Sequence, residues 1–195
     1  PTPTWGVDHT GPHLKFPKPR VVTRYVAITD FTYGPSLTII TRAKPTPEPV
    51  VDVFKYVFSH ANIQVVSNIN MYIRPEGASN PGTMTISLLD SNDAGTGIYT
   101  ASIVRWDDNK WRTVILVIDS NVATKGMRFY VDGVLHRAAL GAGGDAINPI
   151  VDMKIGIRVN IADKSAFTGE IGFFAMYPNA ATESLVRKIA TDPWS

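Results

Sequence analysis

Acid–base cleavage of a glycosidic bond needs two carboxylates about 5–10 Å apart across a cleft. Along one strand that separation means residues two or four apart on the same face. The sequence holds four glutamates, Glu48, Glu76, Glu170 and Glu183, and none has a carboxylate two residues away. Asp107 and Asp108 are adjacent, so they point to opposite faces of a strand or lie in a turn. No Gly-x-Ser-x-Gly elbow occurs, and the absence of cysteine removes any thiolate nucleophile. Gly141-Ala-Gly-Gly144 lacks the Lys-Ser/Thr of a phosphate loop and reads as a glycine-rich connection. The residue types therefore favour binding over catalysis, and no enzymatic activity is expected.

Metal-binding signals are sparse. His9 and His13 are four apart, but Gly11 and Pro12 between them forbid the helix that would align them. His60 and His136 stand singly, as hydrogen-bonded structural histidines do. Asp90-Ser-Asn92-Asp93-Ala94-Gly95 begins like a calcium loop, but Ala94 replaces a ligand and no glutamate closes the loop. No cofactor is expected. Calcium held by Asp90, Asn92 and Asp93 between two loops of the fold is the one ion the sequence leaves open.

Carbohydrate is the ligand that the aromatic residues suggest. Tyr99 and Trp106 fall on one expected strand, and Tyr72 and Arg74 share a face of another. Rings on a sheet surface can stack on sugar faces, and a nearby arginine can bond hydroxyls. The competing reading places these aromatics in the core. Lys15, Lys18, Arg20 and Arg24 form a basic cluster, read as a solvated or subunit-facing patch. A net charge of +2 is too small to argue for a nucleic-acid partner.

These residues need a scaffold, and the composition bounds it. The chain has 195 residues, 44% of them hydrophobic, 18% charged, with 14 prolines and no cysteine. That composition fits one globular domain held by its core alone. No apolar run reaches the roughly 18–20 residues of a membrane span. No signal peptide and no Asn-x-Ser/Thr acceptor is visible, which fits synthesis in a reducing cytosol.

The elements expected to position the candidates are strands. Runs rich in Val, Ile, Thr, Tyr and Phe cover 21–28, 37–41, 50–58, 63–73, 83–89, 97–106, 111–119, 127–131, 134–137, 153–159 and 167–177. Turn-forming residues separate them, which predicts a sandwich or barrel. Asp132-Gly133 predicts a type I′ hairpin. Trp106 to Trp111 predicts another, with a four-residue loop. Val114 to Ile118 is apolar without alternation, so both its faces must be covered, the outer one by a loop, the arm or a partner. A short helix is expected after Thr182, with Leu185, Val186 and Ile189 as its apolar stripe, packed on the sandwich edge. Residues 1–19 hold five prolines and read as an extended arm, neither helix nor central strand, that either packs across its own domain or docks on a neighbouring subunit. Trp5, Lys15 and Lys18 on that arm, with Arg20 at its end, are candidates for contact with a partner. Residues 20–195 would form the domain proper.

The second half has a recognisable order: Trp111 to Asp119, Gly126 to Gly133, Lys154-Ile-Gly-Ile157, Phe167-Thr-Gly-Glu-Ile-Gly-Phe173, then the helix and Asp192-Pro-Trp194. This order resembles laminin-G-like members of the concanavalin-A-like lectin/glucanase superfamily. The resemblance implies an all-β, two-sheet antiparallel jelly-roll sandwich with one short C-terminal helix. It implies that Trp111 anchors the core, that Asp132 and Gly133 form the hairpin, and that backbones approach closely at Gly169. The hydrolase branch's Glu-x-Asp-x-Glu motif is missing, so its activity does not carry over. The closing segment also resembles laminin-G-like domains of bacteriophage structural proteins. That implies a non-catalytic virion surface module, a capsid decoration or tail-associated protein, contacting other virion proteins, sister subunits in a homo-oligomer and host-surface polysaccharide. It would be made in the cytoplasm and displayed on the virion. The alternative is a soluble, extracellular bacterial lectin domain, and a glycoside hydrolase comes third.

Overall fold

The computed structural model describes residues 4–8, 11–16, 25–28, 36–47, 54–61, 68–74, 81–89, 105–106, 108–119, 126–139, 153–157 and 166–191. Within them lie β1 (Thr4–Asp8), β2 (Gly11–Phe16), β3 (Val26–Ile28), β4 (Ser36–Pro45), β5 (Lys55–Ala61) and β6 (Asn68–Ile73). They continue with β7 (Met84–Leu89), β8 (Arg112–Asp119), β9 (Met127–Val131), β10 (Val134–Ala139), β11 (Met153–Ile155), β12 (Gly169–Tyr177) and α1 (Glu183–Thr191). One sheet has seven strands in the order β1-β2-β12-β4-β8-β9-β10, and the other has five in the order β3-β11-β5-β6-β7. Every named strand pair is antiparallel. The expected two-sheet sandwich with a C-terminal helix is what the chain forms.

Alternation in each strand builds one core between the sheets. Leu37 and Ile39 of β4, with Val114, Leu116 and Ile118 of β8, face Ile69, Met71 and Ile73 of β6 and Met84 and Ile86 of β7. Two register shifts adjust this alternation. One, between Ile171 and Phe173, turns Phe173 outward and Phe174 toward the core. The other, between Tyr56 and Phe58, lets Val57 and Phe58 both enter the core.

The doubly apolar β8 is covered on both faces, as its sequence requires. Its outer cover is the helix. Ile115 and Val117 join Ile40, Tyr130 and Val186 in a second apolar cluster on the outside of the seven-stranded sheet. The helix thus lies on that sheet's outer face, over central strands, and not on the sandwich edge. Thr182 caps it: Leu185 N–H donates to Thr182 Oγ1 at 3.3 Å. Thr38 Oγ1 donates to the Asn179 carbonyl at 2.7 Å and accepts from Ala181 N–H at 2.8 Å, which fixes the approach to the helix. Of the expected stripe, Val186 is fully buried and Ile189 half-buried, but Leu185 is exposed. Leu185 instead lines a cavity of ≈ 310 Å³ with Tyr177 and Ile189.

The hairpin at Asp132-Gly133 has φ of 49° and 80°, the positive values a type I′ turn demands. Asp132 Oδ1 also accepts from Thr113 N–H at 2.8 Å, locking the turn to β8. Gly169 has φ 144°, and a Cβ there would strike the Lys44 carbonyl oxygen, so the backbones do approach closely at this point. The second expected hairpin is not one. Arg105 bridges to Thr83 at the five-stranded sheet, whereas β8 belongs to the seven-stranded sheet. The turn at 108–110 therefore carries the chain from one sheet to the other.

The described part of the N-terminal segment is extended and built into the domain. β1 and β2 pair with each other, and Leu14, Lys15 and Phe16 pair with β12. This makes β2 an inner strand, which the proline argument did not anticipate. The physical limit survives locally, because Pro12 sits where β2 has only β1 beside it.

Candidate functional site

The outward face of the five-stranded sheet carries two of the four carbohydrate-binding residues expected from sequence, Tyr72 and Arg74. Alternation sends Ile69, Met71 and Ile73 of β6 inward and therefore Asn70 and Tyr72 outward. The register then sets Tyr72 between Tyr56 of β5 and Thr85 of β7. The next row runs Lys154, Ser59, Asn70 across β11, β5 and β6.

Three rings meet at one end of this face. Phe54 and Tyr72 have centroids 5.0 Å apart at 83°, and Tyr56 and Tyr72 lie 5.1 Å apart, tilted by 38°. Phe54 also contacts Tyr56 edge-on at 6.4 Å. Such pairs add about 0.5–1.5 kcal/mol beyond area burial, so the cluster is a rigid surface. Its parts differ in access. Tyr56 is buried, Tyr72 half-buried, and Phe54 is 38% exposed, so the Phe54 and Tyr72 rings form the accessible part. Arg74 stands next to them. Its Nε donates to Thr85 Oγ1 at 3.1 Å, and its backbone continues the ladder to Thr83 and Gly82. The guanidinium is thus oriented by its neighbour Thr85.

The middle of the face is not open. Ser59 Oγ donates to Asn70 Oδ1 at 2.6 Å, and both residues are buried, as is Thr85. Thr85 in turn accepts from Arg74 Nε. On β11, Lys154 Nζ lies 4.9 Å from the Tyr25 ring, a cation–π contact at the far side of the sheet.

Of the two residues that the sequence placed together on one strand, Trp106 alone is among the described residues. Trp106 is fully buried in the core, so its ring cannot stack on a ligand. The reason is the change of sheet at 105–112: Trp106 N–H donates to the Gly82 carbonyl at 2.8 Å, and its side chain enters the space between the sheets. Tyr99 lies outside the described residues, as do Asp90, Asn92 and Asp93 of the calcium candidate. Among the described residues no group of three or more metal-type side chains comes together. His13 and Glu170 do approach, with Nε2 and Oε2 3.7 Å apart. Trp5 lies on β1 and Lys15 is exposed on β2, while Lys18 and Arg20 fall outside the described residues.

Trp111 is the residue whose role changes most. It lies on the outside of the seven-stranded sheet, not in the core. Arg42 Cζ is 5.6 Å and Lys44 Nζ 5.4 Å from its ring centroid, and His13 meets it edge-on at 5.8 Å. Sequence reasoning missed Arg42 and Lys44. The signal was available: both alternate with the core residues Ala43 and Thr41 on β4, which sends them outward.

The fold has many solved relatives. A native heptameric SAP-like pentraxin from Limulus polyphemus superposes with a TM-score of 0.65 at 18% identity, covering 90% of this chain and 80% of that one. Domain 4 of AbnA, an extracellular arabinanase from Geobacillus stearothermophilus, in complex with arabinotriose, gives 0.65 at 15% identity over 97% and 82%. The CBM40 of the Ruminococcus gnavus IT-sialidase, bound to α2,3 sialyllactose, gives 0.61 at 18% identity over 81% and 84%. At these identities the likeness is one of fold. No curated protein matches the sequence. No helix among the described residues is long and apolar enough to cross a membrane. Residues 22–187 match the family Laminin_G_3, so the chain belongs to this family of the concanavalin A-like lectin/glucanases superfamily.

Proposed function

We propose that this domain is a non-catalytic carbohydrate-recognition module, and that the sugar sits at the Phe54–Tyr72–Arg74 end of the five-stranded sheet. One observation carries the reading: an aromatic cluster stands outside the core, partly exposed, beside an arginine held by Thr85. Sugar rings present apolar C–H faces that suit such rings, and their hydroxyls suit a neighbouring guanidinium as hydrogen-bond partner. The AbnA domain and the CBM40, both solved with oligosaccharides, support this choice of ligand class. A glycan array followed by incubation with the bound polysaccharide tests it. Retention of one or more neutral glycans without release of shorter products is expected. Release of products would overturn the non-catalytic reading, and an array empty of neutral glycans would overturn the ligand class.

A setting on a phage particle belongs to the same proposal. The feature that favours it is β1, which among the described residues is an edge strand of the seven-stranded sheet, where a neighbouring subunit could add a strand. Val7→Pro should reduce incorporation into particles while leaving sugar retention intact. Undiminished incorporation would contradict this contact.

A further inference from the structure

The opposite sheet carries a second constellation. On the outside of the seven-stranded sheet the helix covers Ile40, Ile115, Val117 and Tyr130. Farther along the same strands the face changes character, to Arg42, Lys44, His13, Glu170 and Trp111. Trp111 lies against Gly172, where a Cβ would come within 3.3 Å of the indole. The ring is thereby held on the sheet, and Arg42 and Lys44 both pack over it.

The two cations are not equally satisfied. Lys44 Nζ lies 2.9 Å from Glu170 Oε2. Asp108 and Asp132, farther along the sheet, are both engaged by Arg112 at 2.7 and 3.4 Å. Other described arginines also have acceptors: Arg128 donates to the Ala181 carbonyl, Arg187 to Glu183 and Arg74 to Thr85. Arg42 has only the indole among the described residues. A half-buried guanidinium with a planar fork of donors, beside a second cation and with no carboxylate of its own, is a site for an incoming one. The fixed ring restricts the arginine stem, so less freedom is lost when the fork is engaged.

We propose that Arg42, positioned by Trp111 and assisted by Lys44, binds the carboxylate of an acidic saccharide, a chain of uronate residues. This site is on the other sheet from Phe54 and Tyr72 and does not rest on their role. Titration of the full chain with oligogalacturonate, followed by NMR of the indole and arginine side-chain signals, tests it. Shifts at Trp111 and Arg42 are expected, with none from the methyl-esterified oligomer. Arg42→Gln should weaken binding at least tenfold, Arg42→Lys should restore part of it, and Tyr72→Ala should leave it unchanged. Glu170→Gln should strengthen it, because Lys44 then lacks its internal carboxylate. Equal affinity in Arg42→Gln with an unchanged melting temperature, equal binding of the esterified oligomer, or no binding to the native chain would each overturn the proposal.

Discussion

The outward faces of the two sheets carry aromatic rings in opposite electrostatic company. On the five-stranded sheet Phe54, Tyr56 and Tyr72 touch one another, with Arg74 beside them, bonded to Thr85, and with the Ser59–Asn70 pair in the next row. On the seven-stranded sheet one indole is flanked by Arg42 and Lys44, with a single carboxylate reaching the lysine. Both arrangements follow from alternation about a shared core. They differ in what the ring can do. A ring beside other rings offers its own surface to a ligand, whereas a ring covered by cations holds those cations in place. The first suits an uncharged sugar face, and the second suits an anion.

The largest effect should come from the residue that belongs to neither face. Trp106→Ala removes a fully buried indole from between the sheets and should cost about 3–5 kcal/mol in urea unfolding. A loss within ~0.5 kcal/mol would mean that Trp106 is no part of the core and would return it to the list of ligand residues. Next is Val186→Ala, which thins the helix's contact with the seven-stranded sheet alone. A loss of about 2 kcal/mol is expected, at the low end for a buried apolar truncation, with sugar retention unchanged. A change in sugar retention would break the independence of the two faces. Phe54→Ala should lower affinity for a neutral glycan about tenfold, near 1.4 kcal/mol, with little change in melting temperature, since the ring is already 38% exposed. The smallest effect should be that of Glu170→Gln. It removes one partly exposed ion pair and should change stability by less than about 1 kcal/mol, more at low salt than at high salt, as read from paired melts.

The tryptophans show which parts of this molecule were legible in its sequence. Trp106 is open in the sequence to either a ligand-stacking face or the core, and the resemblance implies Trp111 as a core anchor; the structure buries Trp106 and puts Trp111 on the outside of the seven-stranded sheet. Local pattern could not decide, because the chain changes sheets between them, and the facing of each depends on which sheet it joins. Where the decision was local, the reading held. Asp132-Gly133 needs positive φ and has it, and Val114–Ile118 needs two covers and has them. The identity of the second cover was a tertiary fact. The helix's own stripe said that it would pack, but not against which strands. The same limit applies to the N-terminus. Its prolines gave an extended backbone, while its pairing with β12 depends on a strand more than 150 residues away in sequence. Tyr72 and Arg74 were legible as neighbours because period two within one strand suffices. Phe54 and Tyr56 were not, because they join Tyr72 through strand register and a shift at Tyr56.

A sugar at the Phe54–Tyr72–Arg74 end of the sheet must touch Tyr72. Titration of native protein and Tyr72→Ala with one neutral oligosaccharide retained on an array, followed by isothermal calorimetry with melting temperature as the control for folding, decides it. An affinity at least tenfold lower in Tyr72→Ala, with the fold retained, is expected. Equal affinity in the two proteins would contradict a binding site at the Phe54–Tyr72–Arg74 end of the sheet.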